Sequence, residues 1–331
     1  MNIFLDVMGG DHAPGEIIKG SIDAIKEYNI SLILVGQKEI IQNELAQYDY
    51  PADKIEIIHA ETVIENTEEP AMAIRRKTDS SLVVALEEMK KRDQSVLISA
   101  GSTGALLSGG LLKLGRIKGV KRPALASMLP KENGVSLLID TGANADCKPE
   151  YLLQFAQLGT IYFENVLGKK NPSVGLINIG TEAKKGNTLV KTAYELLEAS
   201  NLNFIGNIEA RDVLESKADI LVCDGFTGNV VLKLTEGVAS FILNGVKKSV
   251  MSNTTGKIGG LLIKNNLRSF KKQFDYSEYG GAPFLGVKGG IIKAHGSSNA
   301  FAIKNAIKQS ISFLENDVLR KISENSNEEE V

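Results

Sequence analysis

The sequence is poor in the residues on which several familiar kinds of site depend. Its 331 residues include two cysteines, three histidines and no tryptophan. Cys147 and Cys223 do not form a C-x-x-C pair, which argues against both a disulfide framework and a zinc-type spacing. We therefore expect two reduced, buried thiols in a cytoplasmic protein.

Strong net charge and long apolar runs are also absent. The formal net charge is −2, whereas nucleic-acid-binding domains are usually strongly basic, so nucleic acid is not an expected partner. The apolar start of the chain reaches Asp6 before it is long enough for a signal peptide. No uninterrupted apolar run approaches the roughly 18 residues that span a bilayer. We expect a cytoplasmic protein that is not integral to the membrane.

Several signature motifs of nucleotide-binding proteins and hydrolases are missing as well. There is no G-x-G-x-x-G after the first strand and no G-x-x-x-x-G-K-[ST], so neither a standard dinucleotide fold nor a P-loop is supported. H-E-x-x-H and the G-x-S-x-G elbow are absent, although Ala100–Gly104 comes near the latter. A chain without an obvious nucleophile–base pair suits chemistry in which one substrate attacks another directly. The protein then supplies positioning and anion stabilisation.

What the sequence does contain is a regular alternation of short apolar runs and helical patterns. Runs rich in Ile, Val and Leu, bounded by Gly or polar residues, predict buried strands. The predicted strands are Ile3–Met8, Ser31–Val35, Ile55–Ile58, Ser95–Ile98, Ser136–Ile139, Val174–Ile179, Ile220–Cys223 and Ile291–Ala294. The predicted helices are Glu16–Glu27, Ser80–Lys91, Pro149–Leu167, Thr188–Ala199 and Gly228–Val250. Ser80 is expected to cap the second helix, and Pro149 suits the first turn of the third.

This alternation predicts one α/β domain over residues 1–322, with a largely parallel sheet covered by helices on both faces. The rhythm breaks at about residues 250–285, which we expect to form an excursion from the core. Residues 323–331 are polar and acidic, and they predict a frayed tail.

Loops of small and polar residues follow six of the predicted strands. Because the carboxyl ends of strands in an open parallel sheet share one edge, we expect these loops to form a single rim. Small residues let backbone N–H groups approach an anion, and helix N-termini add partial positive charge. The loops are residues 6–12, 99–105, 140–146, 178–187, 224–229 and 295–299. One such loop alone would indicate an ordinary turn, but the set predicts an anion-binding crevice.

Charged and titratable side chains in these loops are candidates for ligand contact. His12 and His295 lie in rim loops, whereas His59 follows a strand without nearby polar partners and is expected to be structural. Lys184 and Lys185 are the natural cations for stabilising an anion. The alternative for this pair is a solvated loop.

At these loops the sequence resembles the acyl-ACP:phosphate acyltransferases, the phosphate acyltransferase family of bacterial phospholipid synthesis. The matching stretches run in order from residue 1 to about residue 300, and several are six or more residues long. They are Asp6–Pro14, Ser99–Ala105, Asp140–Asn144, Asn178–Glu182 with Lys184, Gly186 and Asn187, Gly206 and Asn207 with Glu209, Cys223–Asn229, Glu278–Pro283, and His295 with Gly296.

The resemblance implies a homodimer with a Rossmann-like three-layer α/β/α fold, similar to phosphotransacetylases and the isopropylmalate dehydrogenase group. It implies transfer of a long-chain acyl group from acyl carrier protein to inorganic phosphate. The acyl phosphate would then pass to a membrane glycerol-3-phosphate acyltransferase. Neither a metal nor a nucleotide cofactor is implied.

We infer the roles of individual residues from charge. Phosphate is already nucleophilic, so it mainly needs capture near the thioester carbonyl, by Ser102, Thr103 and Thr181, with Lys184 offsetting its charge. Asn229 or a helix N-terminal N–H would stabilise the developing oxyanion, and His12 or Asp224 would manage a proton on phosphate. The other candidate phosphate contacts are Gly9, Gly10, Gly104, Asn144, Lys185, Asn187, Thr227, Gly228 and His295.

The excursion carries a local excess of positive charge. Between Gly237 and Phe274 there is no acidic residue, but there are Lys247, Lys248, Lys257, Lys264, Arg268, Lys271 and Lys272. Ile263, Leu267, Phe270 and Phe274 recur as one helical stripe, and the last four basic residues fall beside it. This pattern predicts an interfacial helix on anionic lipid. Packing against the core or a dimer partner, and docking of the acidic carrier protein, are the alternatives.

Three other functions stay open on sequence alone. The nearest is a phosphate acetyl- or butyryltransferase that uses coenzyme A. A metal-dependent hydroxyacid dehydrogenase would need several aspartates converging on a divalent metal and an adenine site, and neither is recognisable. A non-enzymatic lipid- or acyl-phosphate-binding scaffold is the third.

Overall fold

The computed structural model describes residues 1–131, 134–273 and 278–328, and eleven strands in this part of the chain form one sheet. The strands are β1 (Asn2–Asp6), β2 (Leu32–Gly36), β3 (Ile55–His59), β4 (Ser95–Ser99), β5 (Ala124–Lys131), β6 (Gly134–Ile139), β7 (Val174–Asn178), β8 (Phe204–Glu209), β9 (Ile220–Val222), β10 (Ala282–Leu285) and β11 (Gly290–Lys293). The α-helices are α1 (Gly15–Tyr28), α2 (Lys38–Leu45), α3 (Pro70–Arg76), α4 (Ser81–Met89), α5 (Thr103–Gly109), α6 (Pro149–Val166), α7 (Thr188–Glu198), α8 (Gly225–Val250), α9 (Thr254–Leu262), α10 (Lys264–Gln273), α11 (Ala300–Glu315) and α12 (Val318–Glu328).

The sheet consists of two parallel halves that run in opposite directions. Its strand order is β3-β2-β1-β4-β11-β10-β5-β6-β9-β7-β8. The five strands from β3 to β11 are parallel to one another, and so are the four from β6 to β8. Between the halves, β10 and β5 are antiparallel to their neighbours. The largely parallel sheet predicted from the sequence is confirmed.

The short strand β10 joins the two halves. Ala282 pairs with Lys293 at the end of β11, and two residues later Phe284 pairs with Leu125 near the start of β5. The start of β5 in turn lies beside the end of β6. The carboxyl ends of the two halves therefore approach each other from opposite sides and leave a cleft between them.

Helices cover both faces of the sheet because alternate side chains of each strand point in opposite directions. In β1, Ile3 and Leu5 join a cluster with residues of α1, α6 and α11, whereas Phe4 joins a second cluster with α3, α4 and α5. A third cluster packs Leu138 and Leu221 of the second half against the start of α8. Each buried aliphatic side chain contributes roughly 1.5–3 kcal/mol, and the three-layer α/β/α prediction is confirmed.

All eight predicted strands and all five predicted helices are present, with small shifts of their bounds. Strands β5, β8 and β10 were not predicted. Ser80 stands at the N-cap position of α4, as predicted, but its hydroxyl donates to the Lys77 carbonyl (2.8 Å) and makes no capping hydrogen bond to the helix.

The predicted acidic tail also differs from the structure. Residues 323–328 continue α12 as helix. Val318 and Ile322 anchor the helix because both are buried, and Arg320 pairs with Asp317 and Glu324 on its surface. The frayed tail was thus wrong as far as Glu328, and residues 329–331 lie outside the described residues.

Candidate active site

The cleft between the two halves holds a cavity of about 160 Å³. Residues from both halves line it, because the strand ends and α8 all open into it. The polar lining residues are Thr103, Ser127, Thr141, Asn229, Lys233, Glu236, Tyr279, Lys293 and His295. A crevice is present, but it lies between the opposed carboxyl ends of the two halves of the sheet. The prediction of a single rim was wrong because β10 and β5, both absent from the sequence-based assignment, reverse the strand direction.

The loops after β1, β4 and β11 pack closely on one side of the cleft. A Cβ atom on Gly9 would lie 2.8 Å from the Gly101 nitrogen, and Gly10 has a φ of +108°. The Asp11 N–H donates to the Gly296 carbonyl at 2.8 Å. Gly9 and Gly10, which were predicted to contact phosphate, therefore allow these loops to pack against each other. Neither residue lines the cavity.

Lys293 ends β11 and carries its ammonium into this cleft. Its Nζ donates to the Ala294 carbonyl and, at 3.4 Å, to the Ala100 carbonyl. Burial, helped by the nearby Lys233 and partly opposed by Asp6 and Asp11, lowers the pKa of Lys293 to about 8. Sequence reasoning missed this residue because a lysine within an apolar strand resembles an edge position. The adjoining His-Gly-Ser-Ser stretch was the available signal.

His295 follows Lys293 and lines the same cavity, as predicted. The Ser297 N–H donates to His295 Nδ1 at 3.2 Å, which places the proton of the neutral ring on Nε2. Burial lowers the pKa of His295, and Lys233 lowers it further. The imidazole is therefore neutral at physiological pH.

Buried Asp140 shapes the loop on the opposite side of the cleft. Its Oδ1 accepts from the Leu125, Gly142 and Ala143 N–H groups at 3.0–3.2 Å. Its Oδ2 accepts from the backbone and side-chain nitrogens of Asn144 at 2.7 and 2.9 Å. Burial raises the pKa of Asp140, and these donors oppose the rise. Asn144, a predicted phosphate contact, is thus committed to holding the loop.

The first turn of α8 contains structural residues and one residue that reaches the cavity. Asp224 caps the helix, accepting from the Thr227 N–H at 2.9 Å and the Thr227 hydroxyl at 2.8 Å. A Cβ atom on Gly228 would lie 1.9 Å from the Asp140 carbonyl oxygen, so this position needs glycine for packing. Asn229 is exposed and lines the cavity, as predicted. Neither Asp224, Thr227 nor Gly228 lines it.

The loop after β4 likewise contains structural residues and one residue that reaches the cavity. Ser102 accepts from the Ala105 N–H at 3.4 Å and caps α5. Thr103 is exposed and lines the cavity. A Cβ atom on Gly104 would lie 2.6 Å from Pro70 Cγ. Gly104 therefore permits α5 to pack on α3. The structure explains this glycine by helix packing, and not by the predicted approach of an anion to its backbone.

The loop after β7 lies away from the cavity. β7 is two strand positions beyond β6, a separation of about 10 Å across the sheet. Thr181, Lys184 and Lys185 are exposed there, and none lines the cavity. Lys185 is 3.9 Å from Glu182, and Asn187 caps α7 by accepting from the Val190 N–H at 3.0 Å. Within the described chain, the structure does not bring these predicted site residues together with Thr103, Asn229 and His295.

His12 also lies outside the cavity lining. Its side chain is exposed, and its carbonyl accepts from the Glu16 N–H at the start of α1. The structure instead adds Lys233, Ser127 and Thr141, the last two with hydroxyl oxygens 3.0 Å apart. Across the described residues, no group of three His, Cys, Asp or Glu side chains is placed to hold a metal ion.

The chain also matches known proteins in sequence and in fold. Residues 1–321 match the family model described as "Fatty acid synthesis protein". The chain is 55% identical over 324 residues to a "Phosphate acyltransferase" of Alkaliphilus oremlandii, covering 98% of this chain and 97% of the relative. It is 51% identical over 325 residues to one of Clostridioides difficile, covering 98% and 96%.

Among solved structures, the fold is similar to a phosphotransacetylase from Streptococcus pyogenes, with a TM-score of 0.63, 15% identity and coverage of 95% and 94% of the two chains. It is also similar to 4-hydroxythreonine-4-phosphate dehydrogenase from Klebsiella pneumoniae, with a TM-score of 0.56, 12% identity and coverage of 95% and 99%. At these identities the likeness concerns the fold alone. The sequence matches, however, confirm the expected family: the chain belongs to the phosphate acyltransferases of fatty acid and phospholipid synthesis.

Proposed function

We propose that this acyltransferase moves a long-chain fatty acyl group from acyl carrier protein onto inorganic phosphate, giving an acyl phosphate for phospholipid synthesis. The observation that carries the proposal is the composition of the cleft. Two ammonium groups, Lys233 and Lys293, line it together with several hydroxyl groups and the Asn229 amide. Cations and neutral donors gathered in one cleft favour the capture of a small anion.

Phosphate capture would rest on Lys293 and Thr103. An ammonium has three N–H donors, and Lys293 directs two of them at the Ala100 and Ala294 carbonyls. The third can reach a phosphate oxygen in the cavity. Lys233 is held by Glu236 at 2.7 Å, which fixes its ammonium on the α8 side of the cleft.

The transfer itself needs little proton chemistry. A phosphate oxygen attacks the thioester carbonyl carbon and forms the new C–O bond. Negative charge develops on the carbonyl oxygen, where the Asn229 amide can donate a hydrogen bond. Collapse of this intermediate breaks the C–S bond, and the carrier thiolate leaves with the electron pair. Because a thiolate is a tolerable leaving group, this step does not need a strong general acid.

A phosphate-dependent thioester assay tests the proposal. Palmitoyl acyl carrier protein should lose its thioester only when both the enzyme and phosphate are present, and free carrier and acyl phosphate should accumulate in equal amounts. Acetyl- and butyryl-coenzyme A serve as comparison donors. Preference for these short donors, with no use of the acyl carrier thioester, would contradict the proposal and favour a phosphate acetyl- or butyryltransferase.

We also propose that the enzyme is a homodimer, with α8 in the interface. Phe226, Val230 and Phe241 are exposed along this helix, and Phe241 is 80% exposed. Several exposed large apolar side chains on one helix are unusual on the surface of a monomer. A mass in solution of twice 35.7 kDa, reduced to one chain in Phe241→Glu, is the expected result.

A peripheral contact with the inner face of the cell membrane is proposed for α9 and α10. By length and composition α8 itself could cross a bilayer, which the sequence reading did not foresee. However, its first turns pack on the sheet and line the cleft. The exposed apolar side chains Ile258, Leu261 and Leu262 lie instead on α9, near Lys257 and Lys264. Such a contact would place the product beside a membrane glycerol-3-phosphate acyltransferase.

The predicted apolar stripe of this region changes in the structure. Ile263 stands at the junction of α9 and α10, so the stripe does not lie on one uninterrupted helix. Leu267 is half-buried, and Phe270 lines a cavity beside α8. Arg268 is exposed, only the helical backbone is described for Lys271 and Lys272, and Phe274 lies outside the described residues.

A further inference from the structure

Three adjoining cavities run along α8, beginning at the cleft. The cleft shares Met128, Leu232, Glu236 and Tyr279 with a small cavity of about 40 Å³. That cavity shares Thr235 and Ala239 with a larger one of about 320 Å³. We infer that this path is the binding groove for the acyl chain of the thioester donor. The inference rests on the proposed function, since it supplies a place for a long alkyl chain.

The lining of the path changes from polar to apolar along its length, as a thioester donor with a long alkyl chain requires. The cleft carries the ammonium groups and hydroxyls. Beyond Ala239 the lining is chiefly aliphatic, with Val213 and Leu214 on one side and Val238, Ile242 and Leu243 on the other. A thioester bound with its carbonyl beside Asn229 would therefore extend its alkyl chain from polar into apolar surroundings.

The apolar end is incompletely covered in the chain alone. Leu234 is 64% exposed and Ile242 is 51% exposed, and Phe270 of α10 closes part of the opposite side. Covering an aliphatic side chain with hydrocarbon stabilises it by roughly 25 cal/mol per Å² of apolar surface removed from water. A methylene chain can provide this stabilisation along the whole groove, because it has no polar group that needs a hydrogen-bonding partner.

The length of the groove also fits the proposed occupant. From Asn229 to Leu243 the axis of α8 rises about 21 Å. One leaflet of a bilayer has a hydrocarbon depth of about 15 Å, which is the extent of one long acyl chain. The groove can thus hold such a chain from its carbonyl carbon to its end. The larger cavity, about 320 Å³, lies in the range of small-molecule sites.

Plugging the groove at two depths tests this inference. Ala239→Trp blocks it where the small and large cavities meet, and Leu243→Trp blocks it one turn further from the cleft. With butyryl, octanoyl, dodecanoyl and palmitoyl acyl carrier protein as donors, Ala239→Trp should lose palmitoyl and dodecanoyl transfer by roughly tenfold or more in kcat/KM. It should keep butyryl transfer. Leu243→Trp should lose palmitoyl transfer first and keep the medium-length donors.

Ser240→Trp is the matched control, because Ser240 is exposed on the same turn and lines none of the three cavities. It should keep the chain-length preference of the wild type. Thermal melting shows whether each variant is folded. If both plugged variants, folded, use palmitoyl donors as well as the wild type does, the groove is overturned while the proposed function stands. The groove is also overturned if both variants lose transfer from all donors equally, or if only their oligomeric mass changes. A wild type that ignores palmitoyl donors contradicts the proposed function and the groove together.

Discussion

Burial gives Lys293 a chemistry that an exposed lysine lacks. Its ammonium is held by two backbone carbonyls and lies beside Lys233, and its pKa falls to about 8. The charge is retained at neutral pH, yet it is poorly solvated and therefore attracts an anion more strongly than a surface lysine would.

Replacing Lys293 should separate binding from stability. We expect Lys293→Met to lower kcat/KM for phosphate by roughly a hundredfold or more, and Lys293→Arg to restore little, because a planar guanidinium cannot occupy the site of a compact ammonium. Lys288→Met is the control, since Lys288 is exposed on the same half of the sheet. A folded Lys293→Met variant with unchanged phosphate kinetics would show that another cation holds the substrate.

The same lysine predicts opposite effects of pH on activity and stability. The pKa of Lys293 is about 8 in the folded chain, whereas the ordinary value for lysine is 10.5. Capture of phosphate should weaken as pH rises through 8, because the ammonium is lost. Below pH 8 the buried charge costs stability, on the order of 3 kcal/mol. Between pH 8 and 10.5 the unfolded state holds more protons, so this cost is relieved as pH rises. Denaturant unfolding of the wild type and Lys293→Met across this range should converge toward pH 10.

Residue types alone could not distinguish these roles. The sequence singled out Thr103, Asn229 and His295, which line the cavity, because each follows a strand in a stretch of small residues. The same pattern surrounds Asp224, Asn144 and Ser102, whose side chains are used up in caps and loop bonds. Which of two neighbouring polar residues reaches a cavity depends on the backbone direction after the strand, and that direction is set by contacts distant in sequence.

At the scale of elements, α8 serves three parts of the molecule. Its first turn is fixed on β6 through Gly228, its middle lines the cleft through Asn229 and Lys233, and its later turns line the apolar groove. The helix is 26 residues long, and little of its apolar surface is buried within the chain. Its stability therefore depends strongly on its N-terminal anchor.

Replacing Asp224 tests whether this residue is structural. Asp224→Ala removes the cap of α8 and should lower the free energy of unfolding by about 1 kcal/mol. Asp224→Asn keeps an oxygen for the Thr227 N–H and should retain both stability and activity within a few-fold. The comparison is made by denaturant unfolding and by the thioester assay. Loss of activity in Asp224→Asn at unchanged stability would reinstate Asp224 as a proton carrier.

The elements missed from the sequence share a physical cause. β10 has only four residues and includes Pro283, and β5 mixes Ser127 and Pro130 into its apolar pattern. β8 is an edge strand that contains Gly206 with a φ of +97°. None has the continuous Ile, Val and Leu run of a strand buried on both faces. Their positions are determined by pairing with strands far away in the chain, such as Phe284 with Leu125.

At the scale of the whole molecule, the two opposed halves determine where chemistry occurs. Had the sheet been parallel throughout, the loops after β7 and β1 would lie along one edge, many strand spacings apart. The antiparallel insertion of β10 and β5 instead brings the ends of β11 and β6 toward each other. This arrangement explains why Lys184 lies away from the cavity and why Lys293 was overlooked. Local sequence describes each strand end, while topology decides which ends meet.

The exposed surface beyond the cleft gives the last prediction. Leu262 ends α9 and is 83% exposed, and the basic residues Lys257, Lys264 and Arg268 of α9 and α10 are exposed as well. Each basic residue near an anionic surface contributes about 1 kcal/mol, so the wild type should co-sediment with phosphatidylglycerol vesicles, less so in high salt, and not with phosphatidylcholine vesicles. Leu262→Glu should reduce this binding at least tenfold while activity on soluble thioester is retained.

Leu112→Glu is the matched control for that experiment, because Leu112 is exposed outside α8–α10 and should leave vesicle binding unchanged. Leu267, the residue that the sequence pattern favours for this test, is half-buried, so its replacement would mix folding with membrane contact. Wild-type protein that stays in the supernatant at low salt would exclude the membrane contact. Loss of carrier turnover in Leu262→Glu, with vesicle binding intact, would instead assign the basic surface to the acidic carrier protein. The two outcomes differ because lipid is absent from the thioester assay and carrier is absent from the vesicle assay.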